Sequence, residues 1–588
     1  MRAADRVIAI RRATANLLSR IPLLASSAAR MATDDPAHFA IQVARRIPRR
    51  VRDLASQIPA PSTAGSTPRA LWMLALDRSS ALRAELEDSP RSSPLLDAAR
   101  VQVGARLPED ATPTARARSL WEQGDLDEAI AIAPAKLRRR LEARLRVLTP
   151  GTAIELSSRI ATAPAEERPG DRPMRILHAL TNSLPWTNSG YAIRSHGVLT
   201  AQRRAGLEVE AATRLAYPVT IGRPWASDED RIDGIVYRRL LPLRLPALED
   251  DRLALHARLL ADKAEAFGPD IIHTTTNFHN ALVARAVARS LGIPWVYEFR
   301  GELEKSWVAR RPHEEEARAL ASQRYRLMRA RETELAITAD AVVALSRHQA
   351  DSLVRRGIAA EKILIAPNAV DDALLAEQRD PPAARTRLGL PPGKRLIGTV
   401  SAIVDYEGLD VLVDAVAGLK ASGLDLMCAI IGDGVSRESL IQRALALGLV
   451  VARSTEEISS STDILLPGRV APQTALDWYR ALDVMTIPRR DTPVTRAVTP
   501  IKGLQAMALG IPQVVSDLPA LVEIAASEGQ GLAVPAQDGR ALADAIAQVL
   551  DDEALAKDLS SAARTAASHR TWRALGCMYA ELYTSLVP

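Results

Sequence analysis

Short apolar runs alternate with alanine-rich stretches of helical length from residue 174 to the end of the chain. A first series of six runs predicts strands at residues 175–180, 208–213, 270–275, 294–300, 341–346 and 363–367. A second series of six lies at residues 396–403, 426–432, 464–470, 483–488, 513–517 and 531–535. Because strands that alternate with helices form parallel sheets covered by helices, the pattern predicts an α/β fold with two doubly wound domains and a cleft between them. We place these domains at residues 172–375 and 390–550, since prolines interrupt any helix between them.

The first 170 residues differ in composition and do not show this alternation of strands and helices. Residues 58–68 combine proline, serine and threonine, which is typical of a linker, and residues 69–165 predict a helical extension rich in alanine, leucine and arginine. The segment 117–133 resembles half of a tetratricopeptide-type helical hairpin. A stable solenoid needs about three or more such repeats, and one is visible. A small helical domain without a repeat function is therefore the better interpretation.

The net charge of +6 belongs to an amino-terminal arm, residues 1–57. The arm holds eleven arginines and four aspartates, a net charge of +7, so the other residues sum to −1. Its arginines are spaced among isoleucine, leucine, valine and alanine, which predicts an amphipathic surface helix. Such a helix could be exposed to solvent, bind anionic lipid head groups or bind nucleic acid. We expect no nucleic-acid partner, because aromatic residues that could stack on bases make up only 4% of the chain.

The cellular compartment follows from the cysteines and the apolar runs. Cys428 and Cys577 are the two cysteines, too few for a disulfide scaffold, and they fit a reducing compartment. No apolar run reaches the roughly 18 residues of a membrane-spanning helix. The run at residues 21–29 contains a proline and is closed by arginines, which disfavours a secretory signal. We expect a cytoplasmic protein, with the arm as a means of peripheral attachment to the inner face of the membrane.

The strongest chemical signal is a predicted helix that follows the strand ending at Pro488. Thr499 reads as its N-cap and Pro500 as its first residue, while Gly510 marks its end. Ligands bind at such strand-to-helix crossings in open α/β sheets. Lys502 falls in the first turn, where the helix dipole disfavours a cation unless an anion occupies the helix N-terminus.

The loop before this helix adds further positive charge. Arg489, Arg490 and Arg496 are opposed in the loop only by Asp491. Four cations around one helix N-terminus predict a site for a diphosphate, and the alternative is a solvated basic loop. A weaker signal of the same kind follows the first strand, where a polar loop containing Gly190 leads into a helical stretch.

The motifs together resemble a family-four retaining glycosyltransferase of the GT-B fold, from about residue 174 to the end. The matching pieces are Asn188-Ser189-Gly190-Tyr191 with Arg194, Tyr297-Glu298-Phe299-Arg300-Gly301, Ala339-Asp340 leading to Ser346, Ile365 to Asp371, Gly398 through Tyr406-Glu407-Gly408-Leu409-Asp410, Ile431-Gly432-Asp433-Gly434, and Thr499 to Gly510. Residues 1–170 lie outside the resemblance.

The resemblance implies two Rossmann-like domains, with a nucleotide-sugar donor held by the carboxyl-terminal one and a glycan or lipid-linked acceptor held by the amino-terminal one. It also implies retention of anomeric configuration, no cofactor and no catalytic metal, and final helices over residues 551–588 that return to the amino-terminal domain. His273 and His279, six residues apart, do not share a helix face as metal ligands would.

The site residues follow from the resemblance and the cation pattern. Lys502, Arg489 and Arg300 are the candidate catalytic residues. The candidate donor-binding residues are Arg490, Arg496, Thr499, Pro500, Ile501, Gly503, Leu504, Gln505, Gly432 and Gly434. The candidate acceptor or diphosphate loop contains Ser189, Gly190, Tyr191, Arg194 and Glu298.

The chain also departs from the family pattern. Where the family often has two glutamates separated by seven residues, this sequence has Ala497 and Gln505. Glu407 precedes a glycine where many members carry lysine, and Arg300 stands where many carry an acceptor-side histidine. These changes keep diphosphate binding through Lys502 and the arginines but leave the donor sugar open.

Three interpretations of function fit these residues. The first is an active glycosyltransferase in the synthesis of cell-envelope or exported polysaccharide or glycoconjugate. The second is a non-catalytic GT-B module that scaffolds or regulates other enzymes through its helical amino-terminal region, and other GT-B chemistry, such as epimerisation of a nucleotide sugar, is a third interpretation. The cations around Lys502 favour the enzyme, whereas Ala497 and Gln505 favour the scaffold.

Overall fold

The computed structural model of the protein describes residues 3–34, 37, 39, 41, 61, 63–76, 78–157, 172–496 and 499–587. The described helices are α1 (Ala3–Asp34), α2 (Thr67–Ala75), α3 (Ser79–Glu87), α4 (Pro94–Val103), α5 (Pro113–Gln123), α6 (Leu126–Ile132), α7 (Ala135–Leu148), α8 (Gly190–Arg204), α9 (Glu249–Phe267), α10 (Phe278–Leu291), α11 (Leu303–Val308), α12 (Glu316–Ala321), α13 (Gln323–Thr338), α14 (Arg347–Val354), α15 (Asp372–Ala376), α16 (Pro381–Arg387), α17 (Leu409–Ala421), α18 (Arg437–Ala446), α19 (Pro472–Ala481), α20 (Ile501–Ala508), α21 (Pro519–Ala525), α22 (Gly539–Asp551), α23 (Glu553–Ser568) and α24 (Trp572–Leu586). None of these described helices is long and apolar enough to cross a membrane.

Fifteen strands are described, eight in the first series and seven in the second. They are β1 (Arg175–Leu180), β2 (Glu208–Thr213), β3 (Glu229–Ile232), β4 (Ile235–Arg238), β5 (Ile271–Thr275), β6 (Trp295–Glu298), β7 (Ala341–Ala344), β8 (Ile363–Ile365), β9 (Arg395–Val400), β10 (Leu426–Ile431), β11 (Val451–Ala452), β12 (Ile464–Gly468), β13 (Val484–Ile487), β14 (Gln513–Ser516) and β15 (Leu532–Val534). All twelve predicted strands are present, and the two-domain parallel α/β fold is confirmed. The prediction of six strands in each series was wrong, because β3, β4 and β11 are additional.

The described chain divides into two compact units, and the first comprises residues 1–188, 209–295 and 310–339. Its strands pair in the order β3-β4-β2-β1-β5. β1 and β5 are parallel, with Ile176 opposite Ile271. Both strands are buried along nearly their whole length, which is why they read as continuous apolar runs in the sequence.

The helical extension also belongs to the first unit. Between residues 67 and 148 it folds as six helices, in agreement with the helical pattern of the sequence. The predicted hairpin is formed by α5 and α6 around Gly124, whose φ of 100° permits the tight turn. Trp121 and Leu126 are buried at this hairpin.

The amino-terminal helix α1 packs on the first unit rather than standing in solvent. Leu23 is 1% exposed and lies in an apolar cluster with Ala216 and Val219. Arg20 forms an ion pair with Asp228. The helix predicted for the arm is therefore present over Ala3–Asp34 with one face covered, while residues 42–57 of the arm lie outside the described residues.

The second unit comprises residues 189–208, 296–309 and 340–588. Its seven-stranded sheet has the order β11-β12-β10-β9-β13-β14-β15, and every described pairing in it is parallel. Strands β6, β7 and β8 are also parallel neighbours. Apolar side chains bury both faces of the seven-stranded sheet, as helices on two sides require.

The last helix, α24, packs against α8 within this unit. A side chain at Gly197 would meet the ring of Trp572 at 2.5 Å, so only glycine allows this approach. Further along, Gln202 donates a hydrogen bond of 2.8 Å to the hydroxyl of Tyr583.

Candidate active site

Thirteen residues separate the helix α20 from the end of the buried strand β13, and the helix does not begin where the sequence predicts. Pro500 is the N-cap, with an extended ψ of 140°, and the first helical residue is Ile501. The prediction of Thr499 as N-cap was therefore wrong by one position. The carbonyl of Thr499, just before the helix, accepts a hydrogen bond of 3.0 Å from Asn368 Nδ2.

Lys502 joins a buried cluster that we call the Glu407 triad, composed of Glu407, Lys502 and Arg489. Lys502 Nζ donates to Glu407 Oε2 and also to Ser401 Oγ at 2.6 Å. Arg489 donates from Nη2 to Glu407 Oε1 at 2.9 Å and from Nε to Oε2 at 3.3 Å. All three triad side chains are at most one-tenth exposed.

The electrostatics of the triad keep the carboxylate ionised. Burial alone would raise the pKa of Glu407, but the charges of Lys502 and Arg489 outweigh it and hold that pKa at about 2. Burial lowers the pKa of Lys502 to about 8; Arg489 adds to this effect and Glu407 opposes it. Near neutral pH the triad therefore holds two cations and one anion, an excess of one positive charge.

This geometry changes the reason for a lysine in the first turn of α20. The sequence predicts that a bound anion balances the charge of Lys502, whereas in the structure the carboxylate of Glu407 balances it. An ammonium has three N–H donors, and Ser401 and Glu407 accept two of those on Lys502. The third has no acceptor in the described part of the chain. Lys502 is thus both anchored by the protein and able to donate to a ligand.

The arginine loop is more neutral than its sequence indicates. Arg490 lies 2.6 Å from Asp410, and Arg496 donates to Asp491 at 2.5 and 2.6 Å. The prediction that Asp491 alone opposes the loop was wrong, because Glu407 and Asp410 lie about 80 residues away in sequence and reach the loop only in the folded chain.

Three glycines let the backbone close around the triad. A Cβ atom at Gly408, where φ is 64°, would lie 2.0 Å from the carbonyl oxygen of Pro488. A Cβ at Gly432 would lie 1.8 Å from the carbonyl oxygen of Ser401, and one at Gly434 would lie 2.1 Å from that of Ile403. Gly432 and Gly434 thus position the segment that carries Ser401, and their predicted contact with a donor stays a prediction.

Of the other predicted site residues in α20, some are buried in the packing of the helix and others are partly exposed. Leu504 is fully buried, and a Cβ at Gly503 would touch Ile487 at 3.3 Å. Gln505 is half-buried, and its amide makes no hydrogen bond within the described residues. Ala497, one of the departures from the family pattern, lies outside the described residues.

The loop after β1 begins the helix α8. Ser189 is its N-cap, and its hydroxyl accepts a hydrogen bond of 3.3 Å from the amide of Ala192. Gly190 is the first helical residue. The hydroxyl of Tyr191 donates to the carbonyl of Arg300 at 3.1 Å, although half of the residue remains exposed.

Arg194 and Arg300 share the buried carboxylate of Glu298. Arg194 Nε donates to Glu298 Oε1 at 2.9 Å, and Arg300 Nε donates to the same oxygen at 3.0 Å. Arg300 also donates to the carbonyl of Tyr191 and to Ser195 Oγ. Arg300 is 4% exposed, so its predicted catalytic role would have to act from a side chain already held by several protein acceptors.

Asn368 connects this cluster to the start of α20. Arg194 Nη1 donates to Asn368 Oδ1 at 3.1 Å, and Asn368 Nδ2 donates onward to Thr499. The sequence predicts no site role for Asn368, Ser401 or Glu407, although all three lie in segments that carry the resemblance. Glu407 stands where many family members carry lysine, and its pairing with Lys502 appears only in the folded chain.

Two family models match the part of the chain that builds this site. A model of the glycosyl transferases group 1 matches residues 380–566, and a glycosyl transferase 4-like domain matches residues 189–369. The two matched segments of the chain, residues 189–369 and 380–566, belong to glycosyl transferase families.

Relatives with assigned activities are moderately similar to this chain. Lipopolysaccharide core biosynthesis mannosyltransferase LpsB of Rhizobium meliloti is 29% identical over 34% of this chain and 56% of its own length. D-inositol 3-phosphate glycosyltransferase 1 of Catenulispora acidiphila is 28% identical over 69% of this chain and 94% of its own. The chain spans about half the length of some of these relatives, 56% of LpsB and 46% of the D-inositol 3-phosphate glycosyltransferase of Thermobispora bispora.

Solved structures share the GT-B fold with this chain. The superposition with sucrose-phosphate synthase from Thermosynechococcus elongatus covers 70% of this chain and 99% of that one. Its TM-score is 0.54, and the two sequences are 21% identical. The superposition with Anabaena Alr3699/HepE in complex with UDP covers 70% of this chain and the whole of that one, with a TM-score of 0.52 and 17% sequence identity. At these identities the likeness establishes the fold alone.

Gln505 offers a test of nucleotide recognition in this protein. Its side-chain amide, which makes no hydrogen bond within the described residues, can accept hydrogen bonds from hydroxyl groups such as those of ribose. Gln505→Ala is then expected to weaken nucleoside diphosphate binding by about 0.5–1.5 kcal/mol, and Gln505→Glu to preserve or strengthen it. Titration with pyrophosphate, which lacks ribose, is the control. Equal weakening of both ligands would show that Gln505 does not contact ribose.

Proposed function

We propose that this protein is a retaining glycosyltransferase that moves a sugar from a nucleoside-diphosphate sugar to a glycan or lipid-linked acceptor. In this proposal it needs neither a cofactor nor a metal, and it serves the synthesis of cell-envelope or exported polysaccharide or glycoconjugate. LpsB, a relative named for lipopolysaccharide core biosynthesis, supports the pathway class. Alr3699/HepE, which is described in complex with UDP-glucose, supports the donor class.

The observation that carries the proposal is the Glu407 triad at the start of α20. Its excess positive charge lies beside a helix N-terminus, where backbone N–H groups and the dipole favour an anion. A departing nucleoside diphosphate is the anion that sugar transfer produces. Lys502 would donate to its phosphate oxygens, and stabilisation of that leaving group lowers the barrier without a protein nucleophile.

Direct binding and turnover of the full-length protein test the proposal. Isothermal titration with a panel of nucleoside diphosphates and their sugars should reveal one preferred base, and donor hydrolysis should follow in the absence of acceptor. The reaction should proceed unchanged with a chelator such as EDTA. The anomeric configuration of the released or transferred sugar, followed by NMR, decides between retention and inversion.

A non-catalytic scaffold is the alternative, and Gln505 together with the paired arginines of the loop favours it. A scaffold could still bind a nucleotide sugar through Lys502. Binding without hydrolysis or transfer across the whole donor panel and a range of acceptors would therefore support the scaffold and contradict the enzyme.

We also propose that α1 attaches the protein to an anionic membrane at the cytoplasmic face. Leu17, Leu18 and Ile21 are 38%, 62% and 51% exposed on a helix rich in arginine. Their joint replacement by serine is expected to abolish salt-sensitive binding to vesicles containing acidic lipid, because the buried apolar area and the head-group attraction act together. Leu243→Ser, at a position 68% exposed outside the helix, is the matched control. Sedimentation with vesicles measures both, and undiminished binding of the triple variant would contradict the attachment.

A further inference from the structure

The first unit contains a cavity of about 730 Å³ that has no part in the function proposed for the Glu407 triad. Thr181 and Asn277, which follow the carboxyl ends of β1 and β5, line one side of it. The end of the amino-terminal helix contributes Arg30 and Met31 to its wall. Its volume lies within the range of small-molecule sites, roughly 300–1,000 Å³. The matched family domain begins at residue 189, so the α1 wall is outside that domain.

Positive charge dominates the cavity wall. Arg30, Arg214 and Arg252 line it, and Glu249 is the one carboxylate among the lining residues. Glu249 is already engaged, because it accepts a hydrogen bond of 2.7 Å from His279 and lies 3.6 Å from Arg252. Burial would raise the pKa of Glu249, but the contacts with His279 and nearby arginines hold it at about 2. The carboxylate therefore stays ionised and cannot serve as a counterion for all three arginines.

Arg214 is the cation that lacks a counterion. Its guanidinium donates to the carbonyl of Thr181 at 3.1 Å and lies over the ring of Tyr217. No carboxylate of the described chain pairs with it. Burial lowers the pKa of Arg214, which reflects the cost of holding this charge away from water. An anion bound in the cavity would offset that cost.

His256 supplies a second, independent observation. It is 6% exposed and lines the cavity, yet its ring makes no hydrogen bond with the described part of the chain. Buried polar groups nearly always have a partner. Burial and the charge of Arg214 lower the pKa of His256 to about 3, so the ring is neutral and offers one donor and one acceptor. Such a ring suits a hydroxyl group.

We infer that this cavity binds a small polyhydroxylated anion, a sugar phosphate or sugar carboxylate, with its charged group on Arg214 and a hydroxyl on His256. The inference rests on the proposed function in one respect: the anion is the acceptor, or the anionic residue of a larger acceptor. Arg30 makes α1 part of the binding site, which gives the extension outside the family domain a role in acceptor recognition.

Titration of the full-length protein tests the inference with glucose 6-phosphate, glucuronate, glucose and inorganic phosphate as probes. Glucose 6-phosphate or glucuronate should bind clearly more tightly than glucose or phosphate alone, and the better of the two identifies the anionic group. Loss of a charged hydrogen bond should make Arg214→Gln bind that probe about tenfold or more weakly. His256→Phe and Arg30→Gln should each weaken it several-fold. Arg258→Gln, an exposed arginine on the same helix α9 that does not line the cavity, should leave it unchanged.

Arg214→Lys keeps the charge and should retain most of the affinity, so it serves if the glutamine variant does not fold. Equal affinity of the wild type and the charge-removing variants Arg214→Gln and Arg30→Gln, or no preference for the charged sugars over glucose, would overturn the inference. A nucleoside diphosphate titrated into the same variants should bind as in the wild type. Failure of that ligand in the wild-type protein would contradict the proposed function and leave the cavity result standing.

Discussion

Glu407→Gln is expected to lower the free energy of unfolding of the protein by about 3–5 kcal/mol, because it leaves two buried cations without their carboxylate. Lys502 and Arg489 are 10% and 8% exposed, so water cannot replace the lost charge. Urea unfolding followed by circular dichroism measures the loss. A second substitution, Lys502→Met, removes one of the two stranded cations and should recover part of it.

Asp410→Asn is the matched control for this prediction. Asp410 pairs with Arg490 in the same region, but both side chains are more than one-quarter exposed. Exposed ion pairs contribute about 0–1 kcal/mol, so this variant should unfold almost like the wild type. Similar losses in the two variants would contradict the importance of burial at Glu407.

The pH dependence of stability gives the same prediction a second readout. The pKa of Glu407 is lowered from 4.5 to about 2 on folding. A lowered carboxyl pKa stabilises the fold fully above pH 4.5, and this contribution is lost as the pH falls towards 2. Glu407→Gln lacks the titrating group, so its stability should fall less steeply than that of the wild type over this acidic range.

The strands of both sheets could be predicted from the sequence because their burial leaves a continuous apolar signal. β5, with all five residues buried, is an example. The hairpin of β3 and β4 was missed because β3 is the charged stretch Glu229–Ile232, half-exposed along most of its length. Its turn residues Asp233 and Gly234, both with positive φ, are a recognised hairpin signal that could have identified it.

The site was predictable only as far as local sequence determines it. Lys502 stands out against the dipole of its own helix, and Arg489 follows the end of its own strand. Glu407 lies 95 residues before Lys502, and no local pattern reveals that the two side chains pair. In this chain the turn carries the carboxylate, Glu407, and the helix carries the ammonium, Lys502.

Asn368 illustrates a second limit. Its amide joins Arg194 to Thr499, which lies just before α20. A capping rule weighs only neighbours in sequence, so it cannot include a hydrogen-bond donor 131 residues away. The contact between Asn368 and Thr499 could therefore not be predicted from the local sequence.

Lys502→Ala is expected to weaken binding of a nucleoside diphosphate about tenfold or more, since hydrogen bonds to charged groups contribute roughly 1.5–3 kcal/mol. The fold should tolerate the change, because Arg489 continues to neutralise Glu407. In the wild type the pKa of Lys502 is about 8, so its charge, and with it the affinity, should decline as the pH rises from 7 to 9. Lys502→Arg should bind without this decline, because a guanidinium keeps its proton to a pH of about 12. Isothermal titration across this range measures all three proteins. A wild-type affinity independent of pH, or an equal decline in Lys502→Arg, would show that the ammonium of Lys502 does not contact the diphosphate.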